Sequence, residues 1–226
     1  MARSRDEKSY TDTRTKLLDV GMNLIRAGSY ASVEINDVLR ASGTPKGSFY
    51  HYFQRKEMFG LEVAKHYYAE LLESTKNDLQ NSECTADVRL KAFFQTAHDD
   101  FEDRGFANGC LMCNLSTELA NEYPDFQELL GNHWRAVSSE ITNCIAELDK
   151  SDIGLEHLTD EEAGDWLLNS WSGALTRVKA VRDGEPLRLF PKNNFQKGEV
   201  IYVEIKDNTA RRHKPRHRAS RRQGHR

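Results

Sequence analysis

Two groups of residues in this chain have types and spacings that could do chemistry. The first is a pair of thiols, Cys110 and Cys113, in the run Gly109-Cys110-Leu111-Met112-Cys113-Asn114-Leu115. Placed after Gly105 and Gly109 and ahead of an apolar stretch, they are expected in the first turn of a helix. The positive end of the helix dipole there lowers a thiol's pKa and raises its thiolate fraction. A thiolate in such a place is open to alkylation or oxidation, which makes Cys110 and Cys113 candidate effector- or redox-sensing residues. The plainer alternative is that each is a small buried hydrophobe. Cys-x-x-Cys also serves as a dithiol redox motif, but in a βαβ setting, and a structural zinc site needs further close-spaced ligands; neither is evident here.

The second group is the polar set Thr44, Pro45, Lys46, Gly47, Ser48, Tyr50 and His51, interleaved with the aromatics Phe49, Tyr52 and Phe53. Phe49, Tyr52 and Phe53 stand at i, i+3 and i+4, the buried face of a very short helix. Thr44 suits an N-cap and Pro45 a first helical position, so this helix is expected to start at Thr44. Its other face then carries donors and acceptors with the reach of base edges and phosphates. Gly47 lets backbone approach a sugar-phosphate wall. Lys56 and Ser32, at the starts of neighbouring helices, can add phosphate contacts.

The elements that must hold these groups read as helices almost throughout. Thr13–Ala27 places Leu17, Gly21, Leu24 and Ile25 on one face, and Gly28 stops it. A short apolar pattern, Val33, Ile35, Val38 and Leu39, ends at Gly43. Three short helices, the last two joined by a Gly-containing turn, are the layout of a helix-turn-helix. Helical periodicity then covers residues 56–81, 86–103, 111–121 and 124–149. A last long helix opens on the capping box Thr159-x-x-Glu162 and runs to Asp183. The fold class is therefore all-α, with a helix-turn-helix domain over residues 1–55 and a bundle over residues 56–190.

Charge follows the same division. Residues 1–60 hold ten Lys/Arg against seven Asp/Glu, and residues 61–205 hold thirteen against twenty-seven. A mildly basic head on an acidic body suits a protein that meets phosphates with one end only. No apolar run is long enough to span a membrane, and the polar N-terminus lacks the apolar core of a secretory signal. Four scattered cysteines do not make a disulfide framework, so a reducing cytoplasm is the expected setting. His98, His133 and His157 are isolated, and Glu161 and Glu162 read as helix-start charges. No phosphate loop, nucleophile elbow or paired-carboxylate site stands out. No cofactor and no metal are expected, and a thiol-dependent oxidoreductase is the second reading of the chain.

The stretch 41–60, ASGTPKGSFYHYFQRKEMFG, resembles the DNA-binding region of the tetracycline-repressor (TetR) family. The residues that carry the likeness are Lys46, Gly47, Tyr50, Phe53, Lys56 and Glu57, and the match runs over about residues 13–60. The Gly-Cys-Leu setting of Cys110 further resembles the N-ethylmaleimide-responsive repressor group of that family. The resemblance implies a cytoplasmic, non-enzymatic repressor that binds a pseudo-palindromic double-stranded DNA operator as a homodimer. It implies release by a small-molecule or electrophile effector, with Cys110 as the sensor, while an ordinary small-molecule pocket remains the alternative means of sensing. Lys179, late in the last long helix, is a candidate cationic neighbour of the thiol. That helix is also the expected dimer element, through Trp166, Leu167, Ser170, Gly173, Ala174 and Val178.

The C-terminal end departs from the family plan. Pro191, Asn193 and Asn194 are expected to stop a final helix almost at once. Residues 200–205 read as an isolated strand, and residues 206–226, with nine Lys/Arg against one acidic residue, read as a disordered basic tail. Residues 191–226 are accordingly expected to be irregular.

Overall fold

Every element among the described residues is helical. The computed structural model describes the backbone of residues 2–195 and the side-chain surroundings of residues 10–190 and Phe195. In chain order the helices are α1 (Ala2–Ala27), α2 (Ile35–Ser42), α3 (Phe49–Tyr52), α4 (Lys56–Leu79) and α5 (Ala86–Asp103). They continue as α6 (Leu111–Glu118), α7 (Pro124–Ile145), α8 (Asp160–Val181) and α9 (Glu185–Asn194), with a 3-10 turn over Lys150–Ile153. Among the described residues no helix is long and apolar enough to cross a membrane.

Helices α1 to α3 form the head. Leu17, Leu18 and Ile25 of α1, Val38 and Leu39 of α2, and Phe49 and Phe53 around α3 are all buried. Phe59 of α4 completes an aromatic triad, with ring centroids 5.4 Å (Phe49–Phe53), 5.2 Å (Phe49–Phe59) and 4.9 Å (Phe53–Phe59) apart. Such tilted and edge-to-face pairs stabilise beyond the area they bury. Helix α1 meets α4 at Gly21, where a Cβ would lie 2.3 Å from Phe59 Cζ, so only glycine permits this approach. Helix α1 starts eleven residues before the expected Thr13. Residues 2–12 contain no Gly or Pro to prevent helix, but also no apolar repeat to announce it.

The short helix before α4 differs from expectation. Gly43 adopts a left-handed conformation (φ 64°) that closes α2, and the Thr44 N–H donates to the Leu39 carbonyl at 3.1 Å. Thr44 is thus spent on ending one helix rather than starting the next. Its hydroxyl oxygen accepts from Ser42 Oγ at 2.9 Å. Pro45 to Ser48 form a turn, with the Ser48 N–H donating to the Pro45 carbonyl at 2.9 Å, and α3 starts only at Phe49. Gly47 inside that turn disfavours earlier helix nucleation.

The body packs α4, α5, α7, α8 and α9 around one core. The expected capping box opens α8: Thr159 Oγ1 accepts from the Glu162 N–H at 3.2 Å, and Glu162 Oε2 accepts from the Thr159 N–H at 2.9 Å. Helix α9 continues through Pro191 to Asn194 instead of stopping at the proline. Pro191 falls in its last turn, where it forgoes the hydrogen bond an N–H there would make to the Leu187 carbonyl. Phe190 and Phe195 on either side are buried against Phe94, at centroid distances of 4.6 and 6.0 Å. Tertiary anchoring outweighs local propensity here. The anticipated strand at 200–205 and the basic tail at 206–226 lie outside the described residues.

Candidate functional site

The first site is the outer side of the head. With Phe49 and Phe53 buried below, Pro45, Lys46, Gly47, Tyr50 and His51 are exposed, and Thr44 and Ser48 are half-buried. Tyr50 stands out most, at 63% exposure, with its ring edge-on to Phe49 at 5.6 Å. Tyr52 is only half-buried and packs on Tyr10 of α1, ring centroids 4.6 Å apart. A Cβ on Gly47 would meet nothing within 4 Å, and its φ is not left-handed. The chain's own packing therefore does not require glycine at this position.

Ser32 and Lys56 are brought to the same edge but are already engaged. Ser32 exchanges hydrogen bonds with Ser29: its N–H donates to Ser29 Oγ at 3.1 Å and its hydroxyl to the Ser29 carbonyl at 3.0 Å. Lys56 Nζ donates to the Ala31 carbonyl at 3.2 Å and lies 4.9 Å from the Tyr30 ring centroid. Lys56, the expected phosphate contact, thus has partners within the chain itself. In this structure the ammonium stacks on an aromatic face and ties down the turn leading to α2.

The second site is the thiol pair. Cys110 is the N-cap of α6, with extended backbone (φ −69°, ψ 126°), and Cys113 is its third residue. Cys110 is buried and Cys113 partly so. The Cys110 thiol closes no regular capping hydrogen bond. It nevertheless faces the Cys113 thiol and the backbone N–H groups of Cys113 and Met112, with Arg26 nearby. The Cys113 thiol foremost, then those N–H groups and Arg26, push Cys110 down to about 6 against the upward effect of burial. Cys113 moves the opposite way, held protonated by its hydrogen bond to Cys110, by burial and by the charge on Cys110. Cys144 offers the contrast of an inert thiol, since burial lifts it to about 11.

Around the pair the structure ties the body to the head. Gly109 and Arg26, the latter in the last turn of α1, bond to each other twice. The Gly109 N–H donates to the Arg26 carbonyl at 3.3 Å, and Arg26 Nε donates to the Gly109 carbonyl at 3.4 Å. Lys179 of α8 donates from Nζ to the Gly28 carbonyl at 3.0 Å and to Asn114 Oδ1 at 3.1 Å. A Cβ on Gly109 would sit 2.9 Å from Lys179 Cδ, so glycine lets the lysine pass. Arg26 also lies over the Tyr67 ring at 5.6 Å, and Tyr67 is raised by burial foremost and then by the charge of Cys110. Asn114 Nδ2 is buried without a hydrogen-bond partner.

Lys179 thus stands beside the site, bonded to Gly28 and Asn114, and Arg26 is a second cation there, one that favours the Cys110 thiolate. Sequence reasoning missed Arg26, because a basic residue in a last helical turn is ordinarily explained by the helix dipole alone. It also missed a second tie between α1 and α4, where His66 Nε2 lies 2.8 Å from Asp19 Oδ1 and 3.4 Å from Glu70 Oε1. Arg14 and Glu62 form an ion pair across the same two helices.

The anticipated dimer residues divide. Leu167 and Val178 belong to the core of the chain itself and Ala174 is half-buried, whereas Trp166 and Gly173 are exposed and Ser170 half-buried. Trp166, Ser170 and Gly173 lie along one outer face of α8.

Comparison with known proteins agrees with this geometry. Residues 17–63 match the family described as "Bacterial regulatory proteins, tetR family", and residues 86–192 match "Tetracyclin repressor-like, C-terminal domain". The chain is similar to the HTH-type transcriptional repressor DhaR of Mycobacterium sp. (strain GP1), 27% identical over 80% of this chain and 89% of that protein. It is also similar to the HTH-type transcriptional repressor NemR of Escherichia coli (strain K12), 29% identical over 78% of this chain and 88% of that protein. Among solved structures, a regulatory protein TetR from Rhodobacter sphaeroides superposes with a TM-score of 0.73 at 25% identity, covering 79% of this chain and 94% of its own. The reduced form of E. coli NemR does so with a TM-score of 0.68 at 26% identity, covering 79% and 92%. A helix-turn-helix head on a helical body, with both parts matched in order over more than two thirds of the sequence, places the chain in the TetR family of bacterial regulatory proteins.

Proposed function

We propose that the protein is a cytoplasmic, non-enzymatic transcriptional repressor whose grip on a pseudo-palindromic operator is released when Cys110 reacts with an electrophile. Residues 1–55 read the DNA and residues 56–190 sense the effector and dimerise. Lys46, Gly47, Ser48, Tyr50 and His51 face the major groove, with Thr44 and Pro45 at the rim of the turn. Ser32 and Lys56, at the same edge of the head, add contacts to phosphate. Contacts to phosphate fix register, and contacts to base edges supply specificity. A reading helix of four residues offers few contacts, so two heads a helical turn of DNA apart, about 34–36 Å, are needed for tight binding. Both relatives named above are transcriptional repressors, which supports the sign of the regulation.

One observation carries the release mechanism. Gly109, adjacent to Cys110, is hydrogen-bonded directly to Arg26 in the last turn of α1. An adduct on Cys110 adds volume inside a packed site and removes a negative charge from beside Arg26. Both changes act on the seam that sets the angle of the head. The thiol reading is favoured over an ordinary small-molecule pocket by this wiring and by the depressed Cys110 thiol. The test is a footprint of the protein on the DNA upstream of its own gene, with and without N-ethylmaleimide. A protected palindrome that is lost on alkylation of the wild type, and kept in Cys110→Ser, is the expected result. Release of the Cys110→Ser protein by the same reagent moves the sensor elsewhere.

A further inference from the structure

Cys113 is not needed for alkylation of Cys110, yet the structure puts it against that thiol. An N-cap residue with extended backbone folds its side chain back over the first turn toward the third residue, as Thr159 does toward Glu162 in α8. Cys110 and Cys113 occupy the same two positions of α6. Side chains three apart on a helix are neighbours, about 5–6 Å apart at Cβ, and here the two thiols are close enough to share a hydrogen bond, the contact from which a disulfide can form. The other two thiols are placed differently: Cys144 Sγ lies 3.4 Å from the Ala86 carbonyl, and Cys84 sits in the turn between α4 and α5.

We propose that Cys110 and Cys113 form a dithiol–disulfide modification site, at which a hydroperoxide oxidises Cys110 and Cys113 resolves the product into a disulfide across the first turn of α6. This deepens the thiol reading above and rests on it. In the first step the Cys110 thiolate attacks the terminal peroxide oxygen, the O–O bond breaks, and the alkoxide or hydroxide that leaves is protonated by solvent. Cys110 is then a sulfenic acid, and the peroxide has been reduced to an alcohol or water. In the second step the Cys113 sulfur attacks the Cys110 sulfur, expelling the hydroxyl, which leaves as water with the Cys113 proton. Two thiols have lost two electrons to one peroxide.

The order of events follows from the electrostatics. While Cys110 is a thiolate, its hydrogen bond and its charge hold the proton on Cys113. Once Cys110 is a neutral sulfenic acid, two of the three causes that raise Cys113 are gone, and it becomes a nucleophile only when there is something to resolve. The disulfide removes the anion beside Arg26, as an adduct does, but a reducing thiol restores it. Alkylation is a one-way event, whereas peroxide exposure is reversible. No βαβ fold or catalytic turnover is involved, because each cycle consumes one peroxide and ends in a stable oxidised protein.

The experiment treats the reduced full-length protein with one equivalent of hydrogen peroxide, blocks free thiols with iodoacetamide and digests it without reductant. The peptide holding Cys110 and Cys113 is expected to escape alkylation at both sulfurs and to weigh two hydrogens less than its reduced form. Cys84 and Cys144 are expected to be alkylated, and dithiothreitol before blocking should return both missing alkylations. In Cys113→Ser, dimedone should trap the Cys110 sulfenic acid at least tenfold more than in the wild type. Equal dimedone labelling in the two proteins, both thiols still alkylated after peroxide, or a link from Cys110 to any residue other than Cys113 would each overturn the proposal. Operator binding is not part of this readout. A disulfide that forms without operator release sinks the repressor switch alone, and maleimide release without a disulfide sinks only the present inference.

Discussion

Gly47 and Cys110 bear opposite relations to the chain that holds them. A Cβ on Gly47 would meet nothing within 4 Å, so no contact within the chain calls for glycine there, and on the proposed function its lack of a side chain serves the approach of DNA. Gly47→Ala is expected to leave the thermal midpoint within about 2 °C of the parent, because surface substitutions change stability little. It should nonetheless weaken operator binding by about 1–2 kcal/mol, a five- to thirtyfold rise in Kd, as the added methyl holds the backbone away from the sugar-phosphate wall. Unchanged Kd in a fluorescence anisotropy titration would place the DNA elsewhere. Cys110 is buried, and its chemistry is set from within. Since the thiolate is the nucleophile, its rate of reaction with N-ethylmaleimide should rise with pH through a midpoint near 6 and level off above 7. A midpoint near 9, the ordinary thiol value, would mean that Cys113 and the α6 backbone exert no pull.

Among the elements, much of the architecture is legible in the sequence. Gly28, Gly43 and the Thr159–Glu162 box mark helix ends by chemistry that acts locally, and these ends fall where periodicity places them. The start of α3 does not, because Thr44 has two possible uses and the choice depends on Gly43 taking a left-handed conformation. Helix α9 overruns Pro191 because Phe190 and Phe195 are held by Phe94, a contact between distant parts of the chain that no local pattern reveals. The site divides in the same way. Lys46, Tyr50 and the thiols are visible by type and spacing, but Arg26 joins them only through the crossing of α1 with the turn before α6. Lys179 is visible too, although for a different role: it reaches Gly28 and Asn114 as a strut between α8 and the head. Lys179→Met keeps the stem and deletes both hydrogen bonds. It should cost about 1.5–3 kcal/mol of stability, the range for bonds to a charged donor. It should also loosen coupling, so that maleimide labels Cys110 at the parent rate while more adduct is needed to displace the operator. Parent-like displacement would assign the coupling to the Arg26–Gly109 pair alone.

For the whole molecule, pH acts through His133, which is buried in α7 against Tyr68 and Trp134 with Nδ1 unpartnered. Burial pulls it from 6.5 down to about 4, so the folded state favours the neutral ring. Above pH 6.5 the ring is neutral in both states and this contribution to stability is complete. As pH falls from 6.5 to 4 the unfolded chain takes up a proton that the folded chain refuses, and stability drops by about 1.4 kcal/mol per pH unit. Urea unfolding should therefore show about 2 kcal/mol less stability at pH 5 than at pH 7, and His133→Leu should remove most of that difference. A wild type equally stable at both values would show that the ring is solvated after all.

On the proposed two-head reading, operator affinity is the other property that belongs to the whole molecule. The outer face of α8 presents Trp166, 42% exposed, one turn from Ser170 and two from Gly173, whose missing side chain leaves open space. A large aromatic and a nearby flat position are what two copies of a helix need to approach within the 8–10 Å of close packing. Trp166→Asp puts a charge at that contact without touching the core, where Leu167 and Val178 face the other way. Sedimentation velocity should show the variant shifting from dimer to monomer at micromolar concentration, with its helical content and thermal transition preserved. Each monomer still carries an intact Lys46–Tyr50 surface, so half-site binding survives while the gain from joining two half-sites disappears, a loss on the order of a hundredfold. The slope of log affinity against log salt should fall to about half, since half as many phosphates are neutralised per binding event. A variant that is monomeric yet binds the full operator with parental affinity and salt slope would mean that one head suffices, and that the two-head geometry is not what makes this protein a regulator.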